Sequence, residues 1–453
     1  MSKYEIDLCD GSILKKTFIF AAPLICSNLL QLFFNAADSV IIGHFCGDES
    51  LAAVGVNAGL INLMTNLFIG LSVGCNVLIG KYTGAKLKRD LFETVHTAIL
   101  LSIYSGIFLS VVGFLTAPGI LHLMQTPREI MDLAIAYIRI YFLGMLACMV
   151  YNFGSAILRA VGDTKRPLYY LAFSGVVNVL LNLFFVVALH LDVAGVAIAT
   201  VLSQSLAMVL IIRCLMREVG DIHLDLKQLH IYKKQLAEIL RIGIPAGVQQ
   251  IVFSVANLMI QSYINGFGAI IVAANSIAGN VLGFVYTAMN AFYHTVLAFA
   301  SQNVGAGKYR RLNKIVLTEL GCVIVVGSIL GNAVVYWGEE FLSIFTKSPE
   351  VIFYGVHKLR ITASLYALCG MMEVMAGAIR GLGYSTVPMI VSLVGGCVFR
   401  IVWIMTVCQI PEFHTPEGIY WSFPFSWLFT FLVYVICYMI VATHFAEKKK
   451  GRC

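Results

Sequence analysis

Residues 156–162, AILRAVG, recur as residues 377–383, GAIRGLG, at an offset of 221 in a chain of 453 residues. Other matches keep the same offset: Gly84 pairs with Gly305, Arg89 with Arg310, and Pro167 with Pro388. One spacing that holds over most of the chain indicates an internal duplication rather than a chance motif. We therefore expect two similar halves.

The residues between these matches are strongly apolar. Hydrophobic residues make up 59% of the chain and charged residues 12%, and the mean hydropathy is +0.86. Because soluble domains carry about 25% charged residues, the composition predicts an integral membrane protein in contact with the lipid bilayer. The net charge of +7 falls in alternate loops and needs no nucleic-acid partner. The twelve scattered Cys are typical of buried thiols, not of disulfides or metal ligands.

A helix needs about 20 apolar residues to cross the bilayer, and twelve runs meet this length. They lie at about 17–42, 51–79, 93–117, 133–157, 168–190, 194–216, 238–263, 270–299, 314–337, 353–379, 386–409 and 418–444. We expect an all-α fold of twelve transmembrane helices in two pseudo-symmetric six-helix lobes. The predicted parts are an N-terminal lobe (13–217), a cytoplasmic connecting loop (218–236), a C-terminal lobe (237–445) and a basic cytoplasmic tail (446–453).

The charged residues divide between alternate loops. Basic residues cluster in one set of loops and in the tail, whereas the opposite loops carry mainly acids such as Asp48, Asp192 and Glu339. The positive-inside rule then places both termini in the cytoplasm of a multi-pass protein of the cell (plasma or inner) membrane. Six spans in each half give both halves the same orientation, so we expect a substrate path in a cleft between the lobes.

Asp38 lies deep in the apolar first span, and its counterpart at the offset of 221 is Met259. An ionised carboxylate inside a helix bundle costs about 2.5–3.5 kcal/mol on insertion scales, and burial favours its neutral form. Asp38 is therefore a candidate proton carrier. With amide and hydroxyl oxygens it could instead hold Na⁺. The alternative is a helix-end residue near the outer interface.

Three further polar residues of the first half face apolar counterparts in the second. Asn178 and Asn182 lie four apart, on one helix face, and pair with Phe399 and Trp403. Thr200 pairs with Trp421, or with Phe423 if Gly195 is aligned with Gly418. These side chains either couple an ion together with Asp38 or only hydrogen-bond helices to one another, at about 0.6–2 kcal/mol each.

Several other residues are candidates with weaker signals. Pro23 removes a backbone hydrogen bond in the first span, so it marks a hinge or a static bend. Glu373 and Arg400 either neutralise each other, which we favour, or Glu373 meets a cationic substrate or a second proton. Arg159 and Arg380 are expected to cap helix carbonyls. The remaining side chains either line a substrate cavity or bond helices together; they are Gln31, Asn35, Gln249, Gln250 and Asn257.

The chain resembles the multidrug and toxic compound extrusion (MATE) family from about Thr17 to Ala446, and looks closest to its bacterial drug/proton or drug/sodium branch. The resemblance rests on the twelve-span duplication, the first span with Pro23 and Asp38, the loop IGKYTGA at 79–85, and the signature IRGLG at 379–383 with its N-terminal copy.

The resemblance implies export of organic, often cationic, compounds by antiport with H⁺ or Na⁺. It implies two lobes in a V that alternate access between the two faces, with no cofactor besides the coupling ion, and we expect a monomer. The family's coupling aspartate falls on Asp38, its fifth-span Asn and Asp fall on Asn178 and Asn182, and its sixth-span Thr falls on Thr200. Several relatives carry Asp where this chain has Asn182, so a sodium site is less expected here than a single-proton mechanism.

Three other functions fit the sequence less well. A lipid-linked precursor flippase of the same superfamily is the nearest alternative, but such proteins tend to have extra spans and several cavity arginines. An enzyme is not expected, because the chain has no H-E-x-x-H, no G-x-S-x-G and no paired intramembrane aspartates. A channel fits the internal repeat less well than alternating access does.

Overall fold

The computed structural model describes residues 5–218 and 220–450, with side chains up to residue 442. These residues form helices and connecting segments, and no strand occurs among them. The first half contains α1 (Ile13–Phe45), α2 (Asp48–Ala85), α3 (Lys88–Leu123), α4 (Arg128–Leu143), α5 (Met145–Ala160), α6 (Lys165–Leu183) and α7 (Asp192–Arg217).

The second half follows the same plan, with the eleventh span in two pieces. It contains α8 (Lys233–Asn265), α9 (Ala269–Gly305), α10 (Tyr309–Tyr336), the short α11 (Gly338–Ser343), α12 (Pro349–Thr362), α13 (Tyr366–Gly381), α14 (Thr386–Ser392), α15 (Phe399–Thr406) and α16 (Pro416–Lys450). The helix α16 continues past the expected start of the tail at residue 446, and the last three residues of that tail lie outside the described residues.

Ten helices of the described chain are long and apolar enough to cross a membrane, and two bent helix pairs raise the number to twelve. The pair α4 and α5 is bent by 47°, and the pair α12 and α13 by 49°. The sequence predicted one continuous helix at each place. The all-α membrane fold with up to twelve spans is confirmed, and the bends are a feature that hydropathy alone does not contain.

The fifth and eleventh spans each contain a π-helical segment. Phe184–Ala188 follows α6, and Leu393–Val398 joins α14 to α15. A π-helical turn accommodates one additional residue in a helix and is frequent at functional sites. The segment in the fifth span begins two residues after Asn182.

The chain separates into two compact units. The N-terminal unit contains Met1–Asp7 and Cys26–Gly247, and the C-terminal unit contains Leu8–Ile25 and Val248–Cys453. Within the N-terminal unit α5 packs against α2, α3 and α7, and within the C-terminal unit α13 packs against α9, α10 and α16. These divisions differ from the expected lobes, because α1 and α8 each contribute to both units.

Close backbone packing explains why the first turns of α8 belong to the N-terminal unit. A methyl group added at Gly74 of α2 would lie 2.4 Å from the carbonyl oxygen of Ile239, and one added at Gly243 would lie 2.6 Å from the Cα of Leu71. Small residues allow membrane helices to approach this closely. The contact of α2 with α8 therefore depends on Gly74 and Gly243, whose importance a count of residue types does not reveal.

We expect Gly74→Ala to destabilise the protein, because its methyl group meets backbone atoms that no side-chain rotation can move. Overpacking of this kind costs about 1–3 kcal/mol. Gly59→Ala in the same helix is the matched control, since a methyl group there meets nothing within 4 Å. Thermal unfolding in detergent measures both, and equal melting temperatures for the two variants would contradict the packing described.

Candidate functional site

Asp38 of α1 is joined to α6 through an amide. The Asn182 Nδ2 donates to Asp38 Oδ1 at 2.5 Å and to Asn178 Oδ1 at 3.3 Å. Asn178 and Asn182 are 6% and 0% exposed, and Asp38 is half-buried. The spacing of four residues on α6 places both amides on the face toward Asp38. Three of the four predicted coupling residues are therefore in hydrogen-bond contact.

The charge of Asp38 has a neutral partner. None of the ion pairs found among residues 5–218 and 220–442 includes it. The Asn182 Oδ1 is buried and accepts no hydrogen bond. The site thus has one carboxylate, one donor amide, and an amide oxygen that can still accept a hydrogen bond. These groups suit reversible protonation of the carboxylate.

Thr200 does not join this contact. Its hydroxyl donates to the carbonyl oxygen of Val196 in the preceding turn of α7, at 3.0 Å. This local bond is the usual arrangement for a threonine inside a helix. Among the described contacts the Thr200 hydroxyl bonds neither Asp38 nor Asn182.

Two tyrosines of α4 also belong to the surroundings of Asp38, and they are not among the residues predicted from the sequence. Tyr137 and Tyr141 stack with ring centroids 5.9 Å apart, and both interact electrostatically with Asp38. Tyr141 also hydrogen-bonds the side chain of Gln204. The signal was present in the sequence, since two tyrosines four residues apart share one face of the fourth span.

The oxygens near Asp38 belong to one carboxylate and two side-chain amides. In the described chain no group of three or more His, Cys, Asp or Glu side chains could hold a metal ion.

Pro23 lies inside α1, which continues through it from Ile13 to Phe45. The compact units change at Ile25–Cys26, two residues later. In α8 the corresponding change, at Gly247–Val248, follows Pro245 by two residues. Each proline thus precedes the point where its helix passes from one unit to the other.

The predicted cavity residues have different surroundings. Gln31 and Asn35 of α1 and Gln250 and Asn257 of α8 are exposed. Gln249 is buried, and its side chain bonds Arg380 Nη2 at 2.6 Å and Ser392 Oγ at 3.0 Å. Gln249 therefore stabilises the packing of helices, whereas the four exposed side chains are accessible.

Arg380 does not cap helix carbonyls as expected. It is 2% exposed, and its guanidinium donates to Gln249, to the Tyr293 hydroxyl and to Ser385 Oγ. The physical reason is burial: a guanidinium inside the bundle needs several acceptors, and side chains of α8 and α9 supply them together with Ser385, which follows α13.

Glu373 and Arg400 do not pair with each other. The Arg400 Nε donates to Ser426 Oγ at 2.8 Å, and its guanidinium lies 4.4 Å from the ring centroid of Phe423. Glu373 interacts electrostatically with Arg380. The favoured neutralisation of Glu373 by Arg400 is therefore absent, because each side chain faces other neighbours.

Lys358 of α12 is a buried cation that the sequence analysis did not single out. It is 7% exposed, and its ammonium donates to the side-chain oxygen of Asn275 at 2.7 Å and to the backbone oxygen of the same residue at 2.8 Å. The amide of Asn275 in turn donates to Gln261. The sequence did contain a signal for this residue, because it places a lysine inside the predicted tenth span, where charged side chains are rare.

The MatE family model matches this chain twice, at residues 23–184 and at residues 245–406. The chain belongs to the MATE family. Members of this family are multidrug efflux transporters and not enzymes, which confirms the expectations of transport and of no enzymatic reaction. The comparisons do not favour the flippase alternative.

Individual relatives agree with this assignment. The probable multidrug resistance protein YoeA of Bacillus subtilis is 27% identical over 389 residues, which cover 84% of each chain. The multidrug export protein MepA of Staphylococcus saprophyticus is 22% identical over 392 residues, 86% of each. A solved structure, described as the outward-facing conformation of a multidrug resistance MATE family transporter of the MOP superfamily, matches 99% of this chain and 100% of its own with a TM-score of 0.92 and 19% identity. The MATE-like fold is confirmed.

We expect Asn182→Leu to reduce efflux of organic cations such as ethidium strongly, because it removes the amide that donates to Asp38. Thr200→Val is the matched control, since its hydroxyl bonds only its own helix among the described contacts, and we expect it to retain most of the activity. Ethidium accumulation in cells with equal transporter levels measures both. Loss of efflux in Thr200→Val, with normal efflux in Asn182→Leu, would show that the assignment is reversed.

Proposed function

We propose that this MATE transporter exports organic, often cationic, compounds by antiport with protons, and that Asp38 carries the proton. The observation that supports this proposal is the bond from Asn182 to a half-buried carboxylate that has no cationic partner among the described residues. A carboxylate balanced by Arg or Lys would keep its charge. One that is held by a neutral amide changes charge when a proton arrives.

Protonation of Asp38 alters its contact with α6. A hydrogen bond to an ionised carboxylate is roughly twice as strong as one between neutral groups. When Asp38 takes up a proton, the bond from Asn182 weakens, and the amide is free to bond Asn178 more closely. The proton therefore changes how firmly the second part of α1 is held to α6.

The change is transmitted along α1. Pro23 removes one backbone hydrogen bond from this helix, and the compact units change just after it. In the proposed cycle the outward-facing state takes up the proton, α1 bends near Pro23, and the substrate is released outside. The inward-facing state returns the proton to the cytoplasm and binds the next substrate. Coupling requires only that proton and substrate favour different states.

We also propose the membrane in which the protein lies and the side on which its termini are found. The charge pattern of the loops supports a multi-pass protein of the cell membrane with both termini in the cytoplasm. The protein acts as a monomer. Sodium is the alternative coupling ion, and the single carboxylate of the Asp38–Asn182 contact favours a proton over it.

We expect Asp38→Asn to give a folded protein whose efflux of ethidium falls to the level of cells without the transporter. The substituted amide has nearly the same shape but cannot exchange a proton. Asp132→Asn, at an exposed position of α4, is the matched control and should retain efflux. Normal efflux by Asp38→Asn would refute the coupling role.

We expect export to stop when the proton gradient alone is collapsed. Liposomes that contain the purified transporter are loaded with a dye substrate. A proton ionophore or a sodium ionophore is then added in separate experiments. Saturable dye movement that depends only on the proton gradient is the expected result. Dependence on the sodium gradient instead would make Na⁺ the coupling ion, and movement without saturation would indicate a channel.

A further inference from the structure

A second buried acid lies in the C-terminal unit. Glu319 of α10 is 0% exposed. The Thr17 hydroxyl of α1 donates to its Oε1 at 2.6 Å, and its Oε2 is buried without a hydrogen-bond partner. Both residues belong to the same compact unit. The carboxyl group thus has unused bonding capacity in a place that water does not reach.

No opposite charge balances this carboxyl group within the described chain. The ion pairs found there do not include Glu319. An ionised carboxylate inside a membrane bundle with one neutral donor is strongly disfavoured. A proton on the carboxyl removes the charge, and the hydrogen bond can then reverse, with the carboxyl O–H donating to Thr17 Oγ1. The Thr17 hydroxyl is then free to bond a carbonyl of its own helix.

The neighbouring titratable groups leave Glu319 electrically isolated. On its own helix, Cys322 interacts with it electrostatically. On α1, the Lys16 ammonium bonds the backbone oxygen of Asp10. On α11, Glu339 and Glu340 are exposed.

The buried cations of the other helices packed against α10 have partners of their own. Arg380 of α13 bonds Tyr293 of α9 and interacts with Glu373. Lys358 of α12 bonds Asn275. A proton is therefore the ligand that would neutralise Glu319.

We propose that Glu319 and Thr17 form a second proton-binding site, distinct from Asp38, that holds the first turns of α1. With Glu319 ionised, Thr17 donates to a charged acceptor and α1 is held firmly. With Glu319 protonated, the bond is weaker and the first turns of α1 are released more easily. The charge pattern places this end of α1 on the cytoplasmic side, where a carrier must give up its proton. The coupling role proposed for Asp38 does not require this second site.

Infrared spectroscopy of the purified full-length protein tests the proposal without relying on transport. Isotope-labelled glutamate separates the carbonyl band of a protonated Glu from bands of Asp. We expect a Glu carboxylic acid band that declines as the pH is raised, persists in Asp38→Asn and in Glu373→Gln, and disappears in Glu319→Gln. The exposed Glu350→Gln is the matched control and should leave the band unchanged.

Thr17→Val provides an independent arm, because it keeps the side-chain shape and removes the hydroxyl. The band should remain and move to higher frequency, since the carboxylic acid loses its hydrogen bond with Thr17. A band that is unaltered in Glu319→Gln would overturn the proposal. So would a Glu319 band that does not respond to pH, because that acid would then be purely structural. Retention of the band in Asp38→Asn keeps this result separate from any failure of the transport mechanism.

Discussion

One hydrogen bond, from the Asn182 amide to the Asp38 carboxylate, is the interaction on which the proposed function depends. A neutral amide stabilises an ionised carboxylate less than an arginine would, so it does not hold the acid in its charged form. The apolar residues beside Asp38, Ile41 and Ile42, are buried in the core of the N-terminal unit. Burial makes the ionised form of Asp38 costly, and the hydrogen bond from Asn182 lowers that cost. The proposed cycle uses this balance, because one proton is enough to change the charge of the carboxyl group.

In each compact unit the helices pack closely against one another. The helices α5 and α13 occupy corresponding places and pack against three others each. Glycines at Gly74 and Gly243 let α2 and α8 meet at backbone distance. The helices α1 and α8 differ from α5 and α13, because each of them contains a proline just before it passes from one compact unit to the other. A proline removes one backbone hydrogen bond from its helix, and the proposed bend of α1, the helix that carries Asp38, uses this feature.

The sequence predicted the parts of this arrangement that depend on long periodic patterns. The contact of Asp38 with Asn182 was implied by the resemblance to the family. The twelve apolar runs, the duplication, and the shared helix face of Asn178 and Asn182 follow from hydropathy, from one fixed offset and from a spacing of four residues. The bends in the fourth and tenth spans did not, because a bent pair has the same composition as a straight helix. The partners of Arg380 and Glu373 depend on which helices pack together, and a single sequence does not contain that information.

The ion pairs of the described chain lie apart from the buried charges of the spans. All seven ion pairs join residues of the loops and helix ends that carry the basic clusters, as in Lys81–Glu238 and Lys308–Asp10. Within the spans several charged side chains bond neutral groups instead: Asp38 an amide, Glu319 and Arg400 hydroxyls, and Lys358 an amide oxygen. Glu373 is the exception, because it interacts electrostatically with Arg380. A buried ion pair would be costly to separate once formed. In the proposed antiport, an acid that is held by a neutral partner, such as Asp38, remains available to a proton, and the exchange breaks no ion pair of the protein.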